Sequence, residues 1–99
     1  MRRKVEFEFD QPVAMVLRFP QGLAIDSAFE RDICYVFSAE EGTFYLSDTA
    51  GGLLNARLKS RGISAGEPIT ITKTKVPNPN SVRPVTEYIP RRLEVSDVL

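Results

Sequence analysis

Between residues 43 and 76 the chain changes its hydrophobic period twice, and this limits what it can fold into. Phe44 and Leu46 close a two-residue alternation. Then Ala50, Leu53, Leu54 and Leu58 fall at helical spacing, with Asn55, Arg57, Lys59 and Ser60 off that stripe. Ser47, Asp48 and Thr49 are three candidate N-caps. Arg57, Lys59 and Arg61 lie in the last turns, where the helix dipole favours cations. Gly62 fits the left-handed position after the helix, and Ile63 would touch Leu58 across the stop. Gly51 and Gly52 weaken the first turn by about 1 kcal/mol each, which tertiary packing must offset. Beyond Gly66-Glu67-Pro68 the period returns to two, with Ile69 and Ile71 against Thr70 and Thr72. Lys73 and Lys75 continue the isoleucine side. The strand must therefore run past the edge of its core.

Alternation recurs elsewhere. Val5, Phe7 and Phe9 oppose Glu6 and Glu8; Val13, Met15, Leu17 and Phe19 oppose Ala14, Val16 and Arg18. Residues 23–32 hold a short strand at 23–25 or a helical turn around 27–31. Residues 33–38 are rich in β-formers, and with residues 43–46 they predict a hairpin across Ala39-Glu40-Glu41-Gly42. A two- or four-residue loop puts Ile33, Tyr35, Phe37, Phe44 and Leu46 on one face and Val36 and Tyr45 on the other. A three-residue loop puts Phe37 with Tyr45. The first gathers more apolar surface inward and is the expected register. Pro77-Asn78-Pro79-Asn80-Ser81 breaks regular structure. The expectation is a barrel domain over 1–76 and a proline-containing tail over 77–99, with room for one extra strand at 85–89.

The order is mainly β: two strands, a hairpin, one helix, one strand and an uncertain last strand. That order predicts a five-stranded Greek-key barrel with the helix between the third and fourth strands. An SH3-like barrel is the alternative.

Several chemistries are excluded. The chain has no histidine and one cysteine, so histidine-based triads and the usual structural zinc ligand sets cannot be built. Cys34 reads as a small apolar strand residue. No nucleophile–base pair can be named, so the chain is read as non-enzymatic, with no cofactor and no metal. No apolar run approaches the roughly 18 residues of a membrane helix. The alternating, acidic residues 5–9 do not resemble a signal-peptide core, so a cytoplasmic protein with no membrane role is expected.

The formal net charge is zero, but it is unevenly spread. Asp26, Glu30, Asp32, Glu40, Glu41 and Asp48 face one base, Arg31. From Arg57 to Arg92 bases predominate: Arg57, Lys59, Arg61, Lys73, Lys75, Arg83, Arg91 and Arg92 against Glu67 and Glu87.

The passage from the hairpin through the helix into Gly62-Ile63-x-x-Gly66-Glu67-Pro68-Ile69-x-Ile71-x-Lys73 resembles a recurring one. It is similar to the helix-to-fourth-strand region of OB-fold single-stranded nucleic-acid-binding domains, in particular small phage- or plasmid-type and uncharacterised bacterial ones. The resemblance covers about residues 5–76. It implies an OB-like barrel that binds a single strand by stacking bases on aromatic rings and holding phosphates with bases. The residues that would do so are Arg18, Tyr35, Tyr45, Lys73 and Lys75. The sequence departs from the pattern in lacking tryptophan and in flanking the second and third strands with Asp32, Glu40 and Glu41.

Each candidate also has a plain structural reading. Phe37 and Phe44 are expected core residues, whereas alternation points Tyr45 outward. Arg57, Lys59 and Arg61 answer the helix dipole. Arg83, Arg91 and Arg92 belong to a solvated tail, and Glu6 and Glu8 balance Arg2, Arg3 and Lys4. A protein-docking or dimerising module, using an exposed strand edge or the tail, is the competing functional expectation.

Overall fold

The strands divide between two antiparallel sheets and do not close into a barrel. The computed structural model describes residues 3–26, 33–80 and 82–93. Their order is β1 (Pro12–Val16), β2 (Leu23–Asp26), β3 (Ile33–Ala39), β4 (Gly42–Leu46), α1 (Asp48–Ser60), β5 (Pro68–Val76) and β6 (Val85–Arg92). One sheet runs β1-β5-β6 and the other β2-β3-β4. Neither the five-stranded OB-like barrel nor the SH3-like alternative forms, and the helix lies between β4 and β5. The helical turn considered at residues 27–31, the acids Glu30 and Asp32, and residues 94–99 fall outside the described residues.

The physical reason lies at the joints. A barrel needs an unbroken ladder around its circumference. Here no continuous ladder joins the sheets among the described residues: an isolated bridge of Leu17 with Ala39 links them, and Lys4 with Thr43 and Phe9 with Lys73 tie residues 4–9 to one sheet at each end. Residues 4–9 do not lie along one neighbour. They start beside β4 and end beside β5. At Asp10 the backbone takes φ 63°, a left-handed conformation that turns the chain before β1. Meanwhile β6 takes the outer edge of β5 over its full length, from Ile69 opposite Arg92 to Val76 opposite Val85. Residues in the segment read as a tail thus complete a sheet, and α1 packs across β6 and β3. Phe19, placed inward by alternation, follows the end of β1 and is 62% exposed.

The helix forms where its caps predict. Ser47 Oγ accepts the Ala50 N–H. At the other end Gly62 (φ 63°) and Ile63 donate to the carbonyls of Lys59 and Leu58, the two bonds of a Schellman stop. Leu54, Leu58 and Ile63 are buried with Met15, Leu17, Phe37, Phe44, Leu46, Ile69 and Ile71.

The hairpin takes the two-residue loop. Ala39 pairs with Gly42 and Phe37 with Phe44, so Tyr35, Phe37, Phe44 and Leu46 share the inner face.

Asn55, off the apolar stripe, ties the helix to the β1–β2 turn. Its Oδ1 accepts the Gly22 N–H at 2.7 Å and its Nδ2 donates to the Gly22 carbonyl at 3.0 Å. Both backbone groups of one loop residue depend on a single side chain. Asn55→Ala leaves them without that partner and is expected to cost about 1–2 kcal/mol, read as a lower urea midpoint. An unchanged midpoint would show that water replaces the amide without loss.

Candidate nucleic-acid interface

The site begins with a strand that outruns its core. On β5 the inner face reads Ile69, Ile71, Lys73, Lys75. Both isoleucines are buried, Lys73 is half-buried and Lys75 exposed. Across the ladder, Tyr88 stands opposite Lys73 and Thr86 opposite Lys75. A lysine on this face cannot enter an apolar core without losing its hydration, so the aliphatic stems lie along the sheet and the ammoniums emerge at its end.

Phe9 meets them there. The Asp10 N–H donates to the Lys73 carbonyl at 2.7 Å, and Thr74 Oγ1 donates to Asp10 Oδ1 at 2.9 Å. These bonds hold the chain beside β5 and lay the Phe9 ring under both ammoniums. Lys73 Nζ is 4.5 Å and Lys75 Nζ 5.1 Å from the ring centroid, within cation–π range. Among the described residues neither lysine has a carboxylate within ion-pair distance.

The opposite wall comes from β4. Alternation turns Tyr45 away from the core, and its side chain is 55% exposed. The chain then enters α1 through Ser47. Tyr45, Phe9, Lys73, Tyr88 and the first turn of α1 line a cleft of about 390 Å³. Tyr88 is half-buried and packs edge-on against Phe7 with ring centroids 5.2 Å apart. Burial pushes its phenol pKa up, so it stays a neutral donor and acceptor.

No protein family, curated protein or solved structure matches this chain.

The fold thus brings together three of the five residues singled out in the sequence: Tyr45, Lys73 and Lys75. The other two lie elsewhere. Arg18 lines a separate recess at the hairpin end of β4 with Arg3, Phe19, Glu40 and Glu41. That recess holds two carboxylates as well as two guanidiniums. Tyr35 packs inward, its ring against the backbone of Gly51. Two cleft residues were not among the candidates. Phe9 ends a stretch that reads as a half-buried strand, and its exposure follows from the turn at Asp10. Tyr88 lies in the segment read as a tail. Its signal is the alternation Thr86, Tyr88 against Val85, Glu87, Ile89.

Two of the three helix bases, Arg57 and Arg61, are spent on packing. Arg57 pairs with Glu87 of β6, and Arg61 donates to the Pro90 carbonyl. Arg92 pairs with Glu67 and also donates to the Gly62 carbonyl. Glu67 accepts the Ser64 N–H as well; that bond first, and then Arg92, hold its carboxyl below the usual range. Lys59 and Arg91 remain exposed at the surface, whereas at the end of β5 two bases, Lys73 and Lys75, meet one aromatic ring. Among the described residues no cluster of three or more acids, cysteines or histidines is placed to hold a metal ion. No helix there is long and apolar enough to cross a membrane.

Proposed function

We propose that the chain binds single-stranded nucleic acid without catalysing a reaction, at the cleft between Tyr45 and the Phe9–Lys73–Lys75 cluster. One observation carries the reading: two ammoniums without ion partners among the described residues share the Phe9 ring, and the exposed Tyr45 lines the same cleft as that ring and Lys73. Flat rings take the faces of unpaired bases, and neighbouring cations take the phosphates between them. A duplex hides its base faces and cannot use such a site. No carboxylate lines the cleft; of those on the neighbouring segments, Glu87 is paired with Arg57 and Asp10 accepts from Thr74.

Fluorescence anisotropy with a labelled oligothymidylate tests this. Binding is expected at about 50 mM salt and to weaken at about 200 mM. Tyr45→Ala is expected to weaken it by about 1–3 kcal/mol, or about 5- to 150-fold, the range of one lost stacking partner. Tyr45 is exposed, so the variant retains the parent's circular dichroism. Equal binding by parent and variant, or none at the lower salt, would remove the cleft from consideration. A docking module then takes its place. Phe19 and Leu23 are largely exposed beside β2, and among the described residues only β3 pairs with that strand, so its outer edge is open to a partner strand.

A further inference from the structure

The charge around the cleft also limits how much of a strand it holds. We infer that the site takes a single nucleotide unit, one base with the two phosphates flanking it, and not a continuous run of strand. This rests on the nucleic-acid reading above and narrows it.

No carboxylate lines the cleft itself, and Lys73 is the charged residue in its wall. Beyond it the balance changes. The adjoining recess along residues 4–8 presents Glu6 and Glu8 beside Lys4 and Lys73. Further on, at the hairpin end of β4, Glu40 and Glu41 stand with Arg3 and Arg18. A polyanion leaving the cleft along residues 4–8 therefore meets as many carboxylates as cations. It gains no net attraction there and must strip water from its phosphates to lie against them.

At the edge of the cleft, where Lys73 lines the wall and Lys75 lies beside it over the Phe9 ring, the spacing suits two phosphates. Lys73 and Lys75 are two residues apart on one face of β5, about 7 Å along the strand. That is comparable to the separation of successive phosphates on an extended single strand. Both ammoniums lie over one ring, so they repel each other until anions arrive. A phosphate at each relieves this and leaves the intervening base at the mouth of the cleft, against Tyr45. A cleft of about 390 Å³ is at the small end of the range for small-molecule sites, and it has room for one base and its sugar.

The test is a length series with labelled oligothymidylates of three, six and twelve nucleotides, titrated across salt. The trimer already contains one base with both flanking phosphates. After division by the number of internal bases, affinity is expected to agree across the series within about twofold. The slope of log K against log salt is expected near −1.4 at every length, about 0.7 for each of two phosphates on a single strand. Lys75→Ala is expected to flatten it to about −0.7 throughout. A slope that steepens with length, toward about −4 for six phosphates, would overturn the single-unit site and leave the nucleic-acid reading standing. A slope unmoved by Lys75→Ala would also overturn it. No binding at any length would overturn both.

Discussion

Phe37→Ala is expected to lower the free energy of unfolding by about 3–5 kcal/mol, the range for truncating a fully buried phenylalanine. The ring is 1% exposed. It stacks on Phe44, with centroids 5.0 Å apart and planes 4° from parallel, and the Tyr35 ring lies 6.5 Å from it, centroid to centroid. From Phe44 the aromatic contacts continue edge-on to Phe7 at 5.0 Å and on to Tyr88 of the other sheet. No continuous ladder joins the sheets among the described residues, so this row of rings is part of the side-chain packing that holds them together. A domain of this size has about 5–15 kcal/mol in total, so the loss is a large fraction, measurable by urea unfolding.

The same ring closes over Gly22. A Cβ built there would lie 2.5 Å from Phe37 Cζ. Gly22→Ala is therefore harmful beside the native ring and tolerated once the ring is gone. The double variant is expected to be more stable than the sum of the singles by about 1 kcal/mol or more. Additivity within about 0.5 kcal/mol would show that the ring does not sit on this glycine.

What the sequence revealed depended on whether the deciding interactions were local. The helix was legible from Ser47 to Ile63 because both ends are settled by residues within six positions of each other. The hairpin register was legible because only an even loop places Phe37 and Phe44 on one face. The barrel was not correctly read, because closure depends on where residues 4–9 lie, and that is decided by a turn at Asp10 and by pairing with β5 some sixty residues away. β6 was obscured for a similar reason. Pro84 and Pro90 lower its apparent strand character, yet an edge strand tolerates proline where no ladder bond is needed. At the candidate site, alternation found Tyr45, Lys73 and Lys75, since each only had to point off its strand. Phe9 and Tyr88 required knowing which strands end side by side. Arg18 and Tyr35 came from the resemblance to OB-fold binders, and they part from the cleft because the barrel that would have gathered them does not form.

Adjacent glycines in the first turn of α1 are expected to respond with opposite signs. Helix propensity alone makes Gly→Ala favourable at both Gly51 and Gly52, by about 0.5–1 kcal/mol. Packing separates them. At Gly51 a Cβ would lie 2.4 Å from Tyr35 Cδ1 and 2.6 Å from its Cβ and Cγ. These atoms are at the root of a side chain held on β3, so they cannot swing aside. Accommodating a methyl there means lifting the helix from the sheet, and overpacking of this kind costs about 1–3 kcal/mol. At Gly52 the nearest atom is Tyr35 Oη at 3.9 Å, an ordinary contact. Gly51→Ala is thus expected to destabilise by about 1 kcal/mol after the propensity gain is deducted, and Gly52→Ala to stabilise by up to about 1 kcal/mol. The pair would differ by about 2 kcal/mol in urea unfolding although they are neighbours of the same type. Two stabilising substitutions would mean that α1 stands further from β3 than the Tyr35–Gly51 contact requires. Two destabilising ones would mean that the first turn is held by the small size of both residues, not by the close approach of one.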